Sequence, residues 1–167
     1  MRYWWLGLLS FGSVAAPIQE VLPLSTYIDK TELYPYVISL DMQPNQVVLA
    51  FDEQQQRFQS HDVAVVVSSD IPNGESGVGF EYTLSLLRNT SYCRRPYSLE
   101  VTQSDVMSLT LGGVPFDEQT PLEGRLLVSQ DDGFLGDKHV LTLISEVITD
   151  EAVQCEGTVM LEAELAL

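Results

Sequence analysis

The chain has 167 residues, 45% of them hydrophobic, and a formal charge of −16 from 24 acidic against 8 basic side chains. That length suffices for one domain with a core of its own. The acidity argues against nucleic acid or anionic lipid as a partner, since both are polyanions.

In chain order, the first element is an export signal. Arg2 supplies a positive start, Tyr3 to Phe11 an apolar run, and Ser13, Val14, Ala15 and Ala16 the small residues where a signal peptidase cuts. Cutting after Ala15 is favoured over Ala16, which would leave Pro17 directly beyond the scissile bond. The apolar run is far shorter than the roughly 20 residues that span a bilayer, so no transmembrane segment is expected. Removing residues 1–15 takes Trp4, Trp5 and Arg2 but no acid, so the remainder is one charge more negative than −16.

Period-two alternation dominates the rest. Glu20 to Ile28 places Leu22, Leu24, Thr26 and Ile28 on one face of a strand. Val37–Asp41 and Val47–Phe51 read as strands parted by the turn-forming Gln43, Pro44 and Asn45. Phe58–Ser68 is a longer strand, with Pro72, Asn73 and Gly74 as a turn beyond it. Phe80–Leu87, Leu99–Thr102 and Val106–Leu111 follow, the last running into a Gly112-Gly113 hairpin turn and Val114–Phe116. Arg125–Ser129 and Val140–Glu146 are parted by the turn residues Asp131, Asp132 and Gly133. From Gly157 onward, Val159, Leu161, Ala163, Leu165 and Leu167 face one way and Thr158, Met160, Glu162, Glu164 and Ala166 the other. Many short strands with frequent turns and no helical stretch predict an all-β, immunoglobulin-like β-sandwich.

Chemistry-bearing clusters are sparse. His61 and His139 read as surface histidines near strand ends, and Gly77-Val78-Gly79 lacks the third glycine and helix of a phosphate loop. The stretch from Asp131 to Asp137 lacks the spacing of a calcium loop and reads as a solvated hairpin loop. Asn89-Thr90-Ser91 fits a glycosylation sequon, and Arg94-Arg95 is the sole basic cluster. No catalytic residue, metal or cofactor is expected, hence no enzyme. Cys93 and Cys155, an isolated pair behind an export signal, read as one structural disulfide whose loop closure contributes about 4 kcal/mol.

Two strands bear on function: the detached one at residues 20–28 and the one that ends the sequence. A sandwich ending on a long apolar strand is expected to lack its final edge strand, and an open edge invites strand addition. The N-terminal segment of a neighbouring copy is a candidate donor. Burying Leu22, Leu24 and Ile28 would contribute roughly 5–9 kcal/mol.

The stretch from Leu22 to Asp29, the blocks Val47–Phe51 and Phe58 to Asp70, Leu109–Gly113 and Gly157–Val159, in that order, carry a resemblance. The chain resembles the pilins of colonisation-factor fimbriae, the alpha clade (class five) of the chaperone–usher pathway. Pro23 and the cysteine pair depart from that family's common pattern. The resemblance implies a fimbrial subunit supporting surface adhesion, exported through the periplasm to the cell surface. Its partners would be a periplasmic chaperone, an outer-membrane usher and other pilin subunits, with which it polymerises by donor-strand exchange. Leu22, Leu24, Thr26 and Ile28 would enter a neighbour's groove, and Val159, Leu161, Ala163 and Leu165 would line this subunit's own. Expected boundaries are a signal peptide at 1–15, a donor strand at 16–30 and the sandwich at 31–167. The rival expectation is a secreted monomeric ligand-binding sandwich or a tip adhesin, against which the loss of both Trp residues weighs.

Overall fold

The structure, a computed structural model, describes residues 36–97, 100–149 and 153–166. The expected signal peptide and donor strand therefore lie outside the described residues. Twelve strands and one short helix follow in order: β1 (Ile38–Gln43), β2 (Phe51–Asp52), β3 (Arg57–Phe58), β4 (His61–Pro72), the 3-10 helix η1 (Asn73–Val78), β5 (Glu81–Arg94) and β6 (Val101–Ser104). Then come β7 (Met107–Leu111), β8 (Val114–Pro115), β9 (Leu122–Leu126), β10 (Val128–Ser129), β11 (Phe134–Ser145) and β12 (Gln154–Ala166). One sheet has the order β1-β4-β11-β7-β8 with β10 added to β11; the other has β12-β5-β6 with β9 added to β5. Both are antiparallel throughout, and β2 and β3 form a separate hairpin.

Alternation builds the core. In β4 every odd residue from Val63 to Ile71 turns inward, and the polar member, Ser69, donates its hydroxyl to the Leu135 carbonyl at 2.7 Å. Opposite stand Tyr82, Leu84 and Leu86 of β5, closed in by Leu109, Leu111, Leu135 and Leu141. A second cluster, Cys93, Val106 and Ile148, lies towards the far end of β5. There Cys93 and Cys155 face each other across β5 and β12 and form the expected disulfide.

Several sequence expectations need correction. The strand expected at Phe80–Leu87 continues to Arg94 because Leu87 is an extra, bulged residue: Leu161 pairs with Leu86 and Met160 with Arg88. Inward parity is even before the bulge (Tyr82, Leu84, Leu86) and odd after it (Ser91, Cys93), so the alternation looks broken where the strand is continuous. The expected Arg125–Ser129 strand is two strands in different sheets. The chain crosses at buried Leu127, whose N–H donates to the Phe80 carbonyl at 2.9 Å.

Val47–Phe51 keeps only Phe51 in a strand; Val47 and Leu49 are half-buried, but residues 47–50 join no ladder. The expected Phe58–Ser68 strand breaks at Gln59 and Ser60, and the turn after Pro72 is the helix η1. Leu99 lies outside the described residues; the strand expected there starts at Val101. The Gly112-Gly113 turn is as expected, both residues having positive φ (58° and 84°). In β11, Gly136 packs so closely on β4 that a Cβ would sit 2.7 Å from the Val67 carbonyl oxygen.

Candidate functional site

On the same side of the sandwich each sheet ends in a strand with a single neighbour, six residues long in β1 and 13 in β12. Among the described residues, β1 pairs only with β4 and β12 only with β5. Each thus has an outer row of backbone N–H and C=O groups in no ladder with a described strand, the arrangement that receives an added strand. Packing inward from this side are Ile38, Leu40 and Met42 of β1 and Val159, Leu161, Ala163 and Leu165 of β12, all half-buried against the core. The odd-residue row expected on β12 is therefore on the inner face, with Glu162 and Glu164 turned to solvent.

A cavity of about 750 Å³ opens beside the Met42 end of β1 and the Cys155–Val159 half of β12, so of the four groove residues expected on β12 only Val159 lines it. Met42, Val47 and Leu49 line one side, Val153, Cys155 and Val159 the other, and Val63, Leu141 and Leu143 the floor. Its chemistry is apolar side chains below an unfilled backbone edge. Gly157 stands in the inward row of β12, where a Cβ would lie 2.8 Å from the Thr90 carbonyl oxygen. The absent side chain lets β12 close on β5 beside the disulfide. The β1 wall has no counterpart among the groove residues expected from sequence, although the alternation of Ile38 and Leu40 is plain there. Its position opposite β12 is a long-range property with no local signal. Leu22, Leu24, Thr26 and Ile28 lie outside the described residues.

The other candidate groups fall elsewhere. His139 is not a surface residue: it is nearly enclosed between the sheets, with its Nε2 against the Tyr82 hydroxyl and 3.3 Å from Asp137 Oδ2. The Tyr82 hydroxyl donates to that carboxylate at 2.9 Å, and Arg125 of β9 reaches it at 3.5 Å. Burial lowers the pKa of His139, and Arg125 adds to this against the opposing pull of Asp137. Burial first, then the hydrogen bond to Asp137, raises that of Tyr82. The cluster closes the side of the sandwich away from the groove, tying β5 and β9 to β11. Asp137 is thereby taken out of the loop expected from Asp131 to Asp137, which shrinks to a turn ending at Gly133. His61 is likewise only partly exposed, and its Nε2 is buried with no partner among the described residues.

Asn89 lies within β5 and donates its amide to the Met107 carbonyl at 2.9 Å, a poor place for a glycan. Arg94 pairs with Glu156 at 3.2 Å, and Arg95 with Glu100 at 4.0 Å. Neither η1 nor any other described helix is long and apolar enough to cross a membrane.

No protein-family model and no curated protein matches the chain. A solved structure does, that of the CooA pilin subunit from enterotoxigenic Escherichia coli, with a TM-score of 0.54 at 15% identity over 77% of this chain and 87% of that one. The chain has the all-β, immunoglobulin-like sandwich fold of that pilin.

Proposed function

We propose that the chain is a structural subunit of a cell-surface fimbria, polymerised by donor-strand exchange. The observation that carries this reading is the facing pair of one-sided strands, β1 and β12, over an apolar cavity. The fold shared with a pilin supports it. In this reading Leu22, Leu24, Thr26 and Ile28 of one copy lie along Val159, Leu161, Ala163 and Leu165 of the next, and the inserted backbone completes the sheet edge. A periplasmic chaperone would cover the groove before assembly, and an outer-membrane usher would catalyse the exchange.

Leu24→Asp places a charge in an apolar slot, and Thr26→Trp overfills the place of the smallest inward residue. Each variant is expressed with chaperone and usher and run on a gel without heating. Both are expected to be exported and chaperone-bound yet to give no heat-dissociable ladder. Normal ladders from Leu24→Asp would refute the donor role. A folded, soluble monomer lacking both donor and chaperone would support the binding-module rival instead.

A further inference from the structure

The two ends of the sandwich differ in a way that bears on how copies stack. β4 is 12 residues long, about 36 Å at about 3.3 Å per residue, and defines two poles. At the Pro72 pole, large apolar side chains stand in solvent, among them Val37 (63% exposed), Val78 (67%), Leu126 (51%) and Val128 (50%), with exposed Phe134 paired opposite Pro72 itself. They gather around η1. Val78 ends that helix, Leu126 lies against Gly79, and Asn73 Nδ2 donates to the Gln130 carbonyl at 2.7 Å, holding the strand end that follows Val128. Val37 is fixed beside them, since its N–H donates to Asp70 Oδ1 at 2.7 Å and the adjacent Tyr36 donates to Glu75 Oε2 at 2.5 Å while packing edge-on against Phe80. The His61 pole carries its own exposed apolar set, Val48, Phe51 and Val147, beside the mouth of the cavity, which Val48 lines.

The chain enters the described body at Tyr36, on the Pro72 pole. Six residues, Lys30 to Pro35, connect Asp29 to Tyr36, a span of at most about 24 Å when fully extended. A neighbour holding residues 22–28 in its groove is therefore held close to this pole. β12 runs from the His61 pole at Cys155 to the Pro72 pole at Ala166, so a donor antiparallel to it leaves the neighbour's groove at that copy's His61 pole, and the contact is head-to-tail, the heterologous kind that propagates as an open filament. Both bodies are strongly acidic, and charge alone would push them apart within the roughly 8 Å over which salt leaves it unscreened. Apolar side chains standing among the acids are what two such poles can bring together.

We propose that the Val37, Val78, Leu126 and Val128 pole docks on the Val48, Phe51 and Val147 pole of the neighbouring copy that receives residues 22–28; this rests on the donor-strand reading above. The contact is separate from the groove and sets how rigidly consecutive subunits stack.

The test is cross-linking in assembled fibres of two double variants, Val78→Cys/Val48→Cys and Leu126→Cys/Phe51→Cys, with a short bis-maleimide. The expected result is a shift of most chains from monomer to multimers that survive heating in detergent, in at least one variant. Monomers alone after heating, from samples whose unheated ladder is intact, would overturn pole docking and leave the donor-strand reading standing. Absence of ladders from unheated wild-type fibres would overturn both.

Discussion

Breaking the Cys93–Cys155 disulfide tests whether the groove wall is held by chain topology or by packing. The two cysteines are 62 residues apart and lie across β5 and β12. Closing a loop of that size removes about 4 kcal/mol worth of unfolded-state entropy. That compares with the roughly 5–15 kcal/mol of a whole domain. Replacing both by Ala also removes two sulfur atoms from the cluster with Val106 and Ile148, costing about 1–2 kcal/mol more. Reduction removes only the cross-link, so the two perturbations separate the effects. The assay is equilibrium urea unfolding of the subunit with its groove filled by a peptide of residues 16–30 at one fixed concentration, oxidised, reduced, and as Cys93→Ala/Cys155→Ala. With a slope of about 2 kcal/mol per molar urea, reduction is expected to lower the midpoint by about 2 M and the double variant by slightly more. Equal midpoints for oxidised and reduced protein would refute the reasoning. So would two reactive thiols per chain in protein denatured without reductant.

Gly157→Ala forces a Cβ to within 2.8 Å of the Thr90 carbonyl oxygen, so β12 must move off β5. A loss of about 1–3 kcal/mol is expected in the same urea assay, and an unchanged midpoint would show that the strands have slack there. His139 has a folded pKa below its ordinary value, mainly from burial, so its neutral form is favoured in the fold. Its contribution is complete above the unfolded value of about 6.5 and is lost as pH falls from there through the lowered folded value. Wild-type melting temperature should fall over that window, and the drop should shrink in His139→Gln; identical pH profiles would refute the assignment.

How far each feature is legible in the sequence depends on how local it is. Alternation along β4 and β12 reads directly, because side-chain direction in a strand follows sequence position alone. Hence residue order alone reveals the inward row Val159, Leu161, Ala163 and Leu165, as it does the Gly112-Gly113 turn and the isolated cysteine pair. Where alternation slips, local reading fails. The bulge at Leu87 reverses the parity of β5, and the crossing at Leu127 divides one apparent strand between two sheets. The histidines escape local reading for a related reason: exposure depends on what packs opposite, and Tyr82, Asp137 and Arg125 come to His139 from β5, β11 and β9.

The sequence by itself determined an all-β chain, the inner face of its last described strand and one covalent cross-link, each carried by residue type and spacing. Only the tertiary structure decided that β1 stands across from β12, that neither has a second neighbour among the described residues, and that Val47 and Leu49 face the cavity between them. A strand's status as an edge is set by which distant segments pair beside it, and the hydrogen bonds that decide this join residues far apart in the chain.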